Sequence, residues 1–202
     1  MTPSTTIDPG RDALIVVDIQ NDFCPGGTLA VPGGDAVVPI VNRYLERFGS
    51  AGAPVFLSRD WHPEVTRHFQ AYGGVWPPHC VQGTRGAEFH PGLAPPAEAT
   101  VVSKGMDPDQ DAYSAFQAED AAGRPFPAVL ERQGVRRLYV GGLATDYCVR
   151  ATALDAVRAG LEVVVLTDAI GAVDLQPGDG TRALEEMRAA GARLTTLKEL
   201  GI

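Results

Sequence analysis

Cysteine is scarce in this chain: three among 202 residues (Cys24, Cys80, Cys148), an odd number and too few for a disulfide framework. Such sparse use points to a reducing cytoplasm. Positive charge is also short, with 17 Lys and Arg against 25 Asp and Glu and a net charge of −8. Phosphate-rich partners would be repelled, and no basic run offsets this, so nucleic acid is excluded as a partner. Long hydrophobic runs are missing too. The longest, "ALIVV" and "VVVL", fall far short of a bilayer's thickness, so no membrane is expected. The opening "MTPSTTIDPGRDA" lacks the basic and apolar regions of a secretion signal. No repeat of solenoid length is present. What remains, 45% apolar and 21% charged, is the composition of an ordinary soluble protein. Its length suits a single domain over 1–202, with 1–11 expected as a flexible start.

Short apolar, β-branched runs alternate with helical patterns. Six strands are expected: "ALIVVDI" (13–19), "PVFLSR" (54–59), "ATVVS" (99–103), "RRLYVGG" (136–142), "EVVVLTD" (162–168) and "RLTTL" (193–197). A period of 3.6 residues marks "GDAVVPIVNRYLERFGSAG", "DYCVRATALDAVRAG" and "DGTRALEEMRAAGA". In the second, Val149, Ala153, Ala156 and Val157 form one stripe, and Gly160 suits a helix stop. Strands that are apolar throughout are buried on both faces. The expected fold is therefore α/β, doubly wound, with a mostly parallel six-stranded sheet and helices on both sides. Residues 61–98, rich in Pro, Gly, His and Trp, have no period, and a loop that long in a compact domain is usually functional.

In such sheets, ligands bind beyond the carboxyl ends of the strands. Asp18 ends the first strand, Asp60 the second and Lys104 the third, while "GGLATDYC" after the fourth puts Cys148 in the first turn of a helix. Cys148 is either a small buried hydrophobe or a nucleophile. The helix dipole would favour its thiolate, and Thr145 or Asp146 would cap the helix. The glycines before it would let backbone N–H groups face a substrate oxygen. A thiol nucleophile needs a base, and with no histidine at a strand end the candidate is Asp18. In isolation Asp18 reads as a turn carboxylate and Lys104 as a surface lysine, but a cation beside Asp18 and Cys148 would stabilise both anions.

Histidine, with four in the chain, is rare, and three of the four (His62, His68, His79) lie within twenty residues after Asp60. Asp60 and His62 share a face of an extended segment, and Asp and His suit zinc first, with iron or manganese also served. The bland alternative is a polar loop held together by histidine hydrogen bonds. "DPDQD" (107–111) has the acidic start of a calcium loop but lacks its glycine and closing glutamate, so it reads as a solvated acidic loop.

Taken together, "IVVDIQNDFCPGGTLAVPGG", "SRDWHP", "WPPHCVQGTRGAEFHPGL", "SKGMDPDQDAYSAF" and "VGGLATDYCVRATALDA" resemble the nicotinamidase/pyrazinamidase branch of the isochorismatase-like cysteine hydrolases. The resemblance runs from about Asp12 to Ile170. It implies a catalytic triad of Asp18, Lys104 and Cys148, metal ligands Asp60, His62 and His79, and a cis peptide at Leu143–Ala144. His68 stands where many members have serine and a subgroup has a fourth histidine ligand. The resemblance further implies an oxyanion hole from the N–H groups of Ala144 and Cys148, and substrate contacts from Phe23, Trp76 and Tyr113. The implied reaction is conversion of nicotinamide to nicotinate and ammonia, or of pyrazinamide to pyrazinoate, through a thioester with one divalent metal. Two alternatives stay open: hydrolysis of another small amide or carbamoyl compound, and a non-catalytic metal- or ligand-binding module. A homo-oligomer is compatible with either.

Overall fold

The computed structural model describes residues 6–201. The apolar runs form strands where expected: β1 (Asp12–Val17), β2 (Val55–Asp60), β3 (Thr100–Lys104), β5 (Arg137–Leu143), β6 (Glu162–Gly171) and β7 (Arg193–Thr195). They belong to one sheet with a seventh member, β4 (Glu119–Asp120), in the order β4-β3-β2-β1-β5-β6-β7. Every pairing is parallel except β3 with β4. The expected six strands thus become seven. β4 is two charged residues long and has no apolar pattern to betray it.

All six residues of β1 are buried, and they divide by parity. Leu14 and Val16 join one core with Tyr44, Leu45 and Phe48 of α1 (Val38–Ser50) and Leu197 and Leu200 of α5 (Leu197–Leu200). Ala13, Ile15 and Val17 join the other, with α2 (Phe126–Arg132), α3 (Arg150–Arg158) and α4 (Asp179–Ala190). This two-sided burial is what a run without alternation requires. The stripe Val149, Ala153, Ala156 is buried, and the chain turns at Gly160 with φ of 82°. The last strand stops at Thr195, short of the expected 197, because Thr196 caps α5 by accepting from Glu199 N–H.

Residues 61–98 contain neither strand nor α-helix, only three-residue turns and isolated bridges such as His62 to Val81 and Phe69 to Trp76. At the start of the chain, Ile7 is buried, and Asp8 O accepts from Arg11 and Asp12 N–H. Within the expected flexible start of 1–11, the chain turns over 8–11; the first five residues lie outside the described ones.

From β1 the chain winds outward to β4, then crosses back to β5 on the other side of β1. The reversal opens a crevice between the ends of β1 and β5, the place where such folds bind ligands. The strands meet closely there. Gly142, paired with Val17, has φ of 119°, and a Cβ at that position would lie 2.1 Å from Val17 O. Gly142→Ala should therefore cost about 3 kcal/mol or more, which for a chain of this size lowers Tm by roughly 6 °C or more. A thermal melt within a degree of wild type would show that the two strands can move apart.

Candidate active site

Four side chains meet at the crevice. Asp18 follows β1 with φ of 48°, a backbone conformation that turns the chain sharply out of the sheet. Asp60 and Lys104 face each other across the register of β2 and β3. Cys148 sits in a single turn of π-helix, Thr145–Val149, that links β5 to α3, an irregularity that often marks functional sites. The Leu143–Ala144 peptide before that turn is cis, as the resemblance implies. Thr145 and Asp146 do not cap the turn with their side chains. The Asp146 carboxylate instead accepts from Val173 and Asp174 N–H, both at 2.9 Å, and ties the turn to the segment after β6.

Lys104 is buried to 1% exposure, and its ammonium is the centre of the group. It lies 2.9 Å from Asp18 Oδ2 and 3.6 Å from Cys148 Sγ, and it donates to Asp60 Oδ1. Asp18, Asp60 and Cys148 lie close enough together to hold an ion, but the ammonium already fills that place. Ser58 Oγ donates to Asp18 Oδ1 at 2.7 Å. Asp18 Oδ2 has only its off-line contact with the ammonium and no hydrogen bond, so it is left able to accept one from the thiol.

Burial raises the Asp18 carboxyl, with Lys104 opposing it, and the net direction is upward. Burial also pushes the Cys148 thiol well above its ordinary value; Lys104 opposes this, while Asp18 and Asp60 reinforce it. The resting form is therefore a thiol, against the expectation from the helix dipole, because desolvation and two carboxylates outweigh the dipole and one ammonium. A raised carboxylate beside a protonated thiol is a base matched to its acid. Asp60 behaves oppositely. Burial would raise it, but Lys104 and then His62 and His79 hold it well below the usual carboxylate range.

Asp60 Oδ2 lies 3.8 Å from His62 Nε2 and 3.9 Å from His79 Nε2. Ligand atoms of His62, His68 and His79 all lie within 4.8 Å of one another. Each ring is tied at Nδ1: His62 to Gly105 O at 3.0 Å, His79 to Pro77 O at 2.8 Å and His68 to Asp111 Oδ1 at 2.6 Å. Donation from Nδ1–H leaves the Nε2 lone pair directed inward. His62 Nε2 is buried without a hydrogen-bond partner. Burial lowers His79 to about 4 and also lowers His68, keeping both neutral as metal ligands must be. An ion held at 2.0–2.2 Å needs donors within about 4.4 Å of one another across it, and the Asp60 contacts meet that bound. Asp60, His62 and His79, with His68 beside them, fit a divalent transition metal better than they fit the alternative of a hydrogen-bonded polar loop, because His62 Nε2 faces inward, buried and without a hydrogen-bond partner.

Both groups open onto one cleft of about 550 Å³, including its mouth. Asp60, His68, His79 and Cys148 lie at its base, with Phe23, Trp76, Tyr113 and Tyr147 among its walls. Trp76 Nε1 donates to Tyr113 Oη at 2.9 Å, and Trp76 meets Tyr147 edge-on with ring centres 5.3 Å apart. Phe23 and His79 are 5.6 Å apart. Of the anticipated residues, Phe23, Asp60, His68, Trp76, His79, Tyr113, Ala144 and Cys148 line the cleft, while Asp18, Lys104 and His62 touch those lining residues from behind. Tyr147 was missed, although its place beside Cys148 in the turn could have flagged it. Asp111 was missed as well: read as a solvated acid, it bonds to a histidine at the base of the site.

The chain belongs to the isochorismatase family, whose domain model matches residues 12–199. It is 43% identical to a nicotinamidase of Escherichia coli, over 93% of this chain and 95% of that one. A nicotinamidase/pyrazinamidase of Mycobacterium tuberculosis is 45% identical, over 90% of this chain and 97% of its own length. Among solved structures, a pyrazinamidase of Pyrococcus horikoshii in complex with zinc superposes with a TM-score of 0.85 at 47% identity, covering 92% of this chain and 99% of that one.

One further buried residue holds the site together without facing the cleft. Gln20, fully buried, accepts from Asp60 N–H at 2.8 Å and donates to Asp60 O and Ala87 O at 2.8 and 2.9 Å. Gln20→Ala would remove the side-chain partner of three buried backbone groups around the Asp60 carboxylate. We expect a loss of about 3 kcal/mol, read from the midpoint of urea unfolding. An unchanged midpoint would mean that water replaces the amide without cost.

Proposed function

We propose that this protein hydrolyses nicotinamide to nicotinate and ammonia, and pyrazinamide to pyrazinoate, through a thioester on Cys148. The observation that carries the reading is the meeting of a cysteine–aspartate–lysine group and a histidine–aspartate metal centre in one aromatic-walled cleft. The names of the relatives support the same substrates, and the zinc in the Pyrococcus enzyme supports zinc as the metal.

Asp18 takes the Sγ proton, and the thiolate forms a bond to the carboxamide carbon. The N–H groups of Ala144 and Cys148 hold the oxyanion. Asp18 passes its proton to the departing nitrogen, which leaves as ammonia when the C–N bond breaks. Asp18 then accepts a proton from the water that attacks the acyl carbon, and it returns that proton to sulfur as the C–S bond breaks. Lys104 balances the negative charge that moves between Asp18 and Cys148. Asp60, His62, His79 and His68 would hold the metal, which when bound would supply Lewis-acid chemistry towards the pyridine nitrogen and so orient the ring. Phe23, Trp76 and Tyr113 flank the ring.

Cys148→Ala should abolish ammonia release, while Cys24→Ser and Cys80→Ser, which change buried thiols outside the reaction, keep catalysis in whatever fraction folds. Asp18→Asn keeps the shape but accepts no proton, so turnover should fall about a hundredfold or more. Ammonia release from Cys148→Ala would exclude the thioester route.

The metal's role separates by binding. If it holds the ring nitrogen, chelation should weaken the affinity for both nicotinamide and nicotinate, and benzamide, which lacks that nitrogen, should be a poor substrate for the metal-loaded enzyme. Calorimetry that finds equal nicotinamide affinity with and without metal would remove the orienting role.

A further inference from the structure

The three histidines at the base of the cleft are not held alike. His62 and His79 give their Nδ1 protons to the main-chain carbonyls of Gly105 and Pro77, acceptors the fold supplies whatever the side chains there. His68 alone gives its proton to a side chain, the Asp111 carboxylate at 2.6 Å. Asp111 is not a loose acid that happens to drift near. Its carbonyl accepts from Gln117 Nε2 at 3.1 Å, and the loop before it is clasped to the histidine's own segment. Pro108 O accepts from Arg67 N at 2.9 Å and from Thr66 Oγ1 at 3.2 Å, and Arg67 Nε pairs with Asp109 Oδ1 at 3.2 Å. The segments 66–68 and 107–111 are thus registered against each other, with the carboxylate delivered to one ring nitrogen.

We propose that Asp111 is a positioning residue that makes His68 a ligand of the metal centre, an inference that rests on the metal reading above. A neutral imidazole carries one proton, and an acceptor at Nδ1 keeps it there, leaving Nε2 to bind the ion. Without that acceptor the ring can turn, or move its proton to Nε2 and lose its lone pair. Because His68 depends on one side chain, it is the ligand that a single substitution elsewhere can disable, whereas His62 and His79 are not exposed to such a loss.

The test is Zn(II) affinity of the full chain, measured by competition with a chromophoric chelator, and the visible spectrum of the Co(II)-loaded protein. Asp111→Ala should weaken Zn(II) binding about tenfold, the low end for a partner that orients a ligand, because its side chain is 63% exposed. Asp111→Asn, which keeps an acceptor oxygen but not the charge, should fall between Asp111→Ala and wild type. Asp109→Ala removes a similarly exposed charge that touches no histidine; an exposed pair adds little to the two bonds to Pro108 O that still register the loop, so this variant should stay near wild type. In a His68→Ala background, Asp111→Ala should have no further effect. The Co(II) spectrum of Asp111→Ala should move toward that of His68→Ala; a merely structural role would lower Tm and leave the spectrum alone. Unchanged affinity and spectrum in Asp111→Ala would overturn the proposal, as would an equal loss with and without His68. A wild-type chain that takes up no Zn(II) would overturn the metal centre itself, whereas normal uptake with indifferent Asp111 variants would overturn only this inference.

Discussion

Everything at the carboxyl edge of the sheet is arranged around one buried ammonium. Lys104 has almost no access to water, and leaving its charge bare there would be prohibitive. Asp18 and Asp60, delivered by two neighbouring strands, make it tolerable, and Lys104 in turn makes them tolerable. Remove any one and the remaining charges are uncompensated in a dry place. The ion pair therefore locks the ends of β1, β2 and β3 into one geometry, and the reacting groups inherit their positions from it.

Asp60 serves two masters. Its Oδ1 meets the ammonium while Oδ2 faces His62 and His79, so one carboxylate joins the histidine cluster to the group around Lys104. Lys104 and the histidines both favour the ionised form of this carboxylate, whose charge in turn acts on Cys148. This is why the thiol cannot be understood from its own helix. The local dipole favours a thiolate, yet burial and two carboxylates prevail, and the thiol stays protonated beside Asp18.

Much of this was legible from the residues alone. Asp18, Asp60 and Lys104 declared themselves because continuous apolar runs mark strands, and whatever polar residue follows a parallel strand lies at the binding edge. The histidines stood out through scarcity. Other features were hidden for physical reasons. β4 is held by pairing with β3 rather than by any pattern of its own. Gln20, Ser58 and Asp111 act through side-chain hydrogen bonds to partners far along the chain, and no period or composition encodes such a bond. Asp111 looked solvated because it largely is; only its partner makes it part of the site.

The cleft divides its labour by backbone type. The buried titratable groups stand on strand ends and a turn anchored to the sheet, whereas Phe23, Trp76 and Tyr113 come from separate loops, the last two joined by a hydrogen bond; of the aromatic walls, Tyr147 shares the turn with Cys148. Walls and titratable groups are thus carried largely by different pieces of chain. A lineage, or an engineer, can redraw the loop-borne walls to admit a differently shaped amide while the lysine-centred group stays as it is.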